Sequence, residues 1–216
     1  MAETLVEKRR RAAKIYSILL KRYPDARCTL DYENPFQLLV ATILAAQCTD
    51  ERVNMVTPAL FRKYPTPEKL AGAKPAELEK MIASTGFFRN KTKSLLGMSA
   101  ALIEHYGGRV PETIGDLVKL PGVGRKTANV VLGNCFARPA VIVDTHARRV
   151  SQRLGLTSND DPDKIEADMV KIIPEDRQTM WSHLLVFHGR NICKAPKPLC
   201  PRCPVILLCP YPDKTT

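Results

Sequence analysis

The sequence predicts an all-α protein. Apolar residues recur at helical spacing between proline and glycine breaks. Alternating β-branched runs are scarce, and the sole strand-like stretch, "AVIV" before Asp144, is too isolated to found a sheet. No low-complexity segment or internal repeat interrupts the pattern.

The elements follow in order. An amphipathic opening helix is expected over about Glu3 to Arg22, ending before Pro24, with Ile15, Ile18, Leu19 and Leu20 on its inner face. "ENPFQLLVATILAAQ" begins a helix after Asn34-Pro35 and is apolar nearly all round, which marks a central core helix. Asp50 is expected to cap a third helix that ends before "YPTP". A shorter helix follows around Pro75 to Ile82, then a long one from about Asn90 to Tyr106. "PETIGDLVKLPGVGRKTANVVLGNCF" reads as a short helix, a tight turn and a second helix. "DTHARRVSQRLGL", "DPDKIEADMVKII" and "PEDRQTMWSHLLVFHGRNI" supply three more, the second capped by Asp161 with Pro162 in its first turn.

Length and composition suit a soluble globular protein: 216 residues, 44% hydrophobic and 25% charged. No apolar run approaches the roughly 20 residues that span a bilayer. "LLVATILAA" is about half that length. The N-terminus lacks a secretory h-region, so a cytosolic protein without a membrane partner is expected. Lysine plus arginine total 33 against 22 acidic residues, a net charge of +11. That excess favours a polyanionic partner such as nucleic acid. Seven cysteines, an odd number, argue against a disulfide framework. Cys28, Cys48 and Cys135 sit among apolar neighbours and are expected to be core thiols.

The other four cysteines form a pattern, Cys193-x6-Cys200-x2-Cys203-x5-Cys209. Four soft thiolates suit a tetrahedral zinc or a [4Fe–4S] cluster. One short pair with longer, unequal spacers fits the larger cubane better than paired zinc knuckles. Arg190, Lys194, Lys197 and Arg202 lie in or beside this loop, with no acidic residue from Gly189 to Cys203. A metal-stapled basic loop of this kind reaches phosphates.

The turn "PGVG" carries a second phosphate-binding signal. Gly122 and Gly124 permit positive φ and close backbone approach, while Val123 pins the turn between its helices. The helix that follows adds unpaired N–H groups and the positive end of its dipole. The bland alternative is an ordinary glycine-containing helical hairpin. Lys126 stands at the turn–helix junction beside Arg125. A lysine with a pKa near 10.4 is neutral in only about one molecule in 2,500 at pH 7, so a nucleophilic role requires perturbation. The first turn of a helix disfavours an added positive charge, and Arg125 places a second cation beside it. Asp144, which follows four apolar residues, reads as a helix N-cap, a role compatible with catalysis because a capped carboxylate is held in place.

"LPGVGRKTANVVL", "VDTH" and the cysteine tail together resemble the endonuclease III family of helix–hairpin–helix DNA glycosylases. The resemblance runs from "NPFQLLVATILAAQCTD" to the last cysteine, with the three motifs in family order. It implies two helical lobes flanking a DNA-binding cleft: residues 28–138, and residues 1–27 with 139–216. It implies a [4Fe–4S] cluster on Cys193, Cys200, Cys203 and Cys209. Lys126 matches the family's Schiff-base nucleophile and Asp144 its catalytic aspartate. The implied activity is that of a bifunctional glycosylase and abasic-site lyase, working as a monomer on damaged or abasic nucleotides in double-stranded DNA. Oxidised pyrimidines are the implied lesions, and the base must be flipped from the duplex.

Gln47 matches the residue that fills the hole left by flipping. In "STGFFRNKT", an exposed Phe87 or Phe88 would wedge between bases, or the pair packs into the core. Relatives often carry an aliphatic residue there. The expected DNA contacts are Gln47, Phe87, Gly122, Val123, Gly124, Arg125, His146, Lys197 and Arg202. Ala147 is smaller than its family counterpart and is expected to widen the pocket beside Asp144. Two rival readings remain. An adenine or mismatch glycosylase commonly lacks lysine at this position, and adenine glycosylases add a long C-terminal domain. A non-catalytic helix–hairpin–helix protein would use Lys126 and Asp144 only as a phosphate contact and a cap.

Overall fold

The computed structural model describes residues 3–215. The chain forms two compact units, one of Cys28–Arg138 and one combining Met1–Arg27 with Pro139–Thr216. Both are helical, and no strand occurs among the described residues. No helix is long and apolar enough to cross a membrane among them.

The 28–138 unit is built on α2 (Pro35–Leu44), which Asn34 caps by accepting from the Gln37 amide. Every residue from Phe36 to Leu44 is buried. A helix apolar on all sides must be enclosed, and α3 (Asp50–Lys63), α6 (Phe88–Tyr106) and α8 (Arg125–Cys135) enclose it. Each fully buried leucine here contributes roughly 1.5–3 kcal/mol by leaving water. The short helices α4 (Pro67–Ala71) and α5 (Pro75–Ile82) pack on α6, and α7 (Ile114–Leu117) leads into α8. Helix α4 is a single turn started by Thr66-Pro67, too brief for hydrophobic periodicity to reveal it.

The other unit gathers α1 (Leu5–Arg22), α9 (Thr145–Arg153), α10 (Pro162–Ile172) and α11 (Gln178–Asn191) around Trp181. Ile15, Leu19, Ala147, Val150, Leu184 and Leu185 belong to the same buried cluster as the indole, which is fully buried. Gly189 lets α9 and α11 approach closely, since a Cβ there would lie 3.0 Å from His146 Cβ. The segment Ala140–Val143 is buried and lies outside any helix or strand. The Ile142 amide instead donates to Ser182 Oγ at 2.8 Å, which meets the demand of a buried N–H.

Several sequence expectations change. Helix α1 starts at Leu5, because Thr4 and Glu7 form a capping box ahead of it. Leu20 is exposed, having rotated about 100° past buried Leu19 on the helix wheel. Thr49, rather than Asp50, caps α3 by accepting from the Arg52 amide, and the Asp50 carboxylate instead accepts from the Thr29 hydroxyl. Cys28, Cys48 and Cys135 are half-buried rather than core thiols. They sit in loops or at a helix end, where packing is incomplete. Burial still pushes the Cys135 thiol up to about 11, with Cys28 adding to the shift.

Candidate functional site

The hairpin is assembled from buried apolar anchors. Leu117, Leu120 and Val123 are buried, and the Leu120 and Val123 amides donate to the Leu117 and Leu120 carbonyls, each at 3.1 Å. Gly97 of α6 makes room for the turn, since a Cβ there would come within 3.2 Å of Pro121. Gly122 has φ +77°, and an added Cβ would lie 2.5 Å from Ser94 Cβ. Only glycine satisfies both conditions. Gly122→Ala is therefore expected to lower stability by about 1–2 kcal/mol or more in urea unfolding, whereas Gly124→Ala should leave the midpoint unchanged.

Gly124 departs from the expectation of positive φ. It is the N-cap of α8 in extended backbone, φ −89° and ψ 173°, which any residue adopts. An added Cβ there would meet no atom of the chain within 4 Å. Val123 also departs from its expected role as a DNA contact. Its side chain is buried and its amide is committed to Leu120, so it shapes the turn and leaves neither group to offer a phosphate.

Arg125 and Lys126 occupy the first two positions of α8, both exposed, with no acidic residue in that turn. The Lys126 ammonium has no hydrogen-bond or ion-pair partner among the described residues. Nearby Lys119 differs, since Asp116 holds it at 2.9 Å.

Two loops of the same unit present the other candidates. Gln47 is exposed with φ 54°, in the turn between α2 and α3. Phe87 is 60% exposed with φ 47°, whereas Phe88 is half-buried beneath the Arg89 guanidinium. The aromatic pair thus divides, with Phe87 the more exposed of the two. Non-glycine residues at positive φ are uncommon and point to functional constraint.

Asp144, in the other unit, caps α9: its Oδ1 accepts from the Ala147 amide at 2.7 Å. Ala147 does not widen a pocket, because its side chain is buried in the core around Trp181. His146 is half-buried, and Arg149 approaches its Nδ1 at 3.2 Å. Burial holds its pKa below the usual histidine range, against the pull of Asp144.

The four C-terminal cysteines share one neighbourhood. Burial first, then Cys209, Cys193 and Cys200, raise the Cys203 thiol to about 11. Arg153 donates to Cys193 Sγ at 3.5 Å and to the Lys194 carbonyl at 2.8 Å, while its own carbonyl accepts from Cys209 Sγ at 3.3 Å. His188 Nε2 lies 3.6 Å from Cys203 Sγ. Among the described residues, no group of three or more histidine, cysteine or acidic side chains is arranged as a single metal-ion site. Lys197 and Arg202 are exposed on this loop. Lys126, Gln47, Phe87 and the glycine turn thus share one unit, while Asp144, His146 and the cysteine loop share the other.

A helical chain whose glycine turn presents the start of a basic helix has the architecture of the HhH-GPD superfamily of base excision DNA repair proteins. The model of that superfamily matches residues 40–175. Endonuclease III of Synechocystis sp. is 53% identical over 207 residues, covering 95% of this chain and 94% of the relative. A non-covalent endonuclease III–DNA complex superposes with a TM-score of 0.90 at 45% identity, covering 94% of this chain and 95% of that one. A trapped covalent intermediate of endonuclease III with DNA, an estranged-adenine complex, gives the same TM-score and identity, covering 94% and 96%. The chain belongs to the endonuclease III family.

Proposed function

We propose that this protein is a bifunctional DNA glycosylase and abasic-site lyase of base excision repair, acting on oxidised pyrimidines in duplex DNA. The observation that carries the reading is Lys126: an exposed lysine without a partner among the described residues, at the first turn of the hairpin's second helix. A mere phosphate contact does not require that junction; an amine attacking a sugar beside a held phosphate does.

The chemistry proceeds in two stages. Lys126 Nζ forms a bond to C1′ of the flipped nucleotide as the glycosidic bond breaks, and the base leaves with the electron pair. The amine loses its proton and the sugar ring opens, giving an imine. Loss of a C2′ proton then breaks the C3′–O bond and releases the 3′ phosphate, and water hydrolyses the imine to restore the lysine. Asp144 takes up the amine proton and stabilises positive charge developing on the sugar. Its cap bond to Ala147 fixes the carboxylate for that task.

The hairpin grips the strand. Nothing inside the protein requires glycine at position 124, so a phosphate approaching the turn is the demand that remains. Gly124→Ala is expected to weaken duplex binding without lowering stability. Arg125, Lys197 and Arg202 add salt-sensitive phosphate contacts. His146 contributes hydrogen bonding. Gln47 fills the space left by the extruded nucleotide and Phe87 wedges beside it.

Cys193, Cys200, Cys203 and Cys209 suit a [4Fe–4S] cluster, being four neighbouring thiols that can each ligate one iron. When bound, the cluster would staple the basic loop. Iron and sulfide near a ratio of about 4:4 in purified protein are expected; one zinc per chain would overturn the assignment. The activity itself is tested on an end-labelled duplex with one oxidised pyrimidine. Cleavage at the lesion leaving an unsaturated sugar end is expected, and an intact strand would sink the proposal.

A further inference from the structure

Lys91 is only 5% exposed, although lysine is among the residues least often buried. It is the fourth residue of α6, and its Nζ donates to two backbone carbonyls, Leu44 at 2.8 Å and Thr85 at 2.7 Å. Leu44 is the last residue of α2, and Thr85 ends the 3-10 turn Ala83–Thr85. Helix-terminal carbonyls lack partners within their own helix and carry the negative end of the dipole, so an ammonium satisfies both needs. Burial lowers the lysine's pKa, and the Cys48 thiol opposes that shift.

The two carbonyls stand at the entrances to two unusual loops. Beyond Leu44, the Ala46 and Cys48 amides donate to Ile43 and Ala45, and Gln47 between them is left-handed and exposed. Beyond Thr85, Gly86 and Phe87 are both at positive φ, and Phe87 is exposed. The Lys91 amide also donates to the Phe87 carbonyl at 3.0 Å. One residue therefore holds the root of the Gln47 loop through its side chain and the Phe87 loop through both side chain and backbone.

We infer that Lys91 is a positioning residue that clamps the Leu44 and Thr85 carbonyls, so that Gln47 and Phe87 are presented to the duplex as one rigid pair. This rests on the proposed glycosylase and lyase reading. The clamp acts on extrusion of the nucleotide, not on breaking of bonds. A single-stranded abasic site has no orphaned base to occupy and no stack to wedge, so it bypasses the pair.

Abasic-site cleavage by Lys91→Met should fall about tenfold or more on duplex DNA and less than about twofold on single-stranded DNA. Phe87→Ala serves as comparator and should show the same imbalance. Lys91→Arg keeps the charge with altered reach; should the methionine variant fail to fold, the same imbalance is expected of it. Equal losses on both substrates, or no loss on either, would overturn the clamp. Wild-type protein that cleaves neither substrate would instead overturn the lyase reading, and the clamp with it.

Discussion

Lys126→Ala loses the ability to form a borohydride-stable adduct with abasic DNA, and its strand cleavage falls by at least about a hundredfold. The fold should not notice. Lys126 is exposed at the second position of α8, and its ammonium has no partner among the described residues. Alanine there removes a positive charge from the positive end of a helix dipole, so stability should stay within about 0.5 kcal/mol or rise slightly. Duplex affinity should fall only modestly, because the backbone turn and several other cations remain. Loss of chemistry with retained fold and binding separates a nucleophile from a phosphate contact. A variant that cleaves normally but binds weakly would assign Lys126 to the phosphates.

Asp144→Asn is expected to lower turnover by about 10²–10⁴-fold while thermal stability and duplex affinity hold. Asparagine is as good an N-cap as aspartate, so its amide oxygen can accept from Ala147 as the carboxylate does at 2.7 Å. What it lacks is the charge and the proton affinity. Asp144→Ala removes the cap as well and should cost about 1 kcal/mol of stability besides. Wild-type turnover in Asp144→Asn, with only Asp144→Ala less stable, would make Asp144 a structural cap alone.

The helices were legible because their boundaries are chemical. Proline, glycine and capping residues punctuate the chain, and the unbroken apolar run of α2 admits no exposed face. The hairpin was legible for the same reason, down to the need for glycine at 122. At position 124 the expected positive φ is not what the glycine adopts, since its backbone is extended and the space beside its Cα is open. Leu20, Ala147 and the three half-buried cysteines show what periodicity and composition miss. A residue's side of a helix or depth in a loop is settled by packing partners distant in sequence. Phe87 and Phe88 are one residue type in adjacent positions, and only the left-handed backbone at 87 separates them. Lys91 escaped altogether, because a lysine in "FRNKTKS" reads as surface until the carbonyls of Leu44 and Thr85 are brought to it.

The most direct test of the central claim is to reduce the protein with borohydride while it works on an abasic duplex, digest it, and locate the sugar remnant by mass spectrometry. The account predicts a single modified residue, Lys126. A remnant on any other residue, or no covalent product at all, would contradict it.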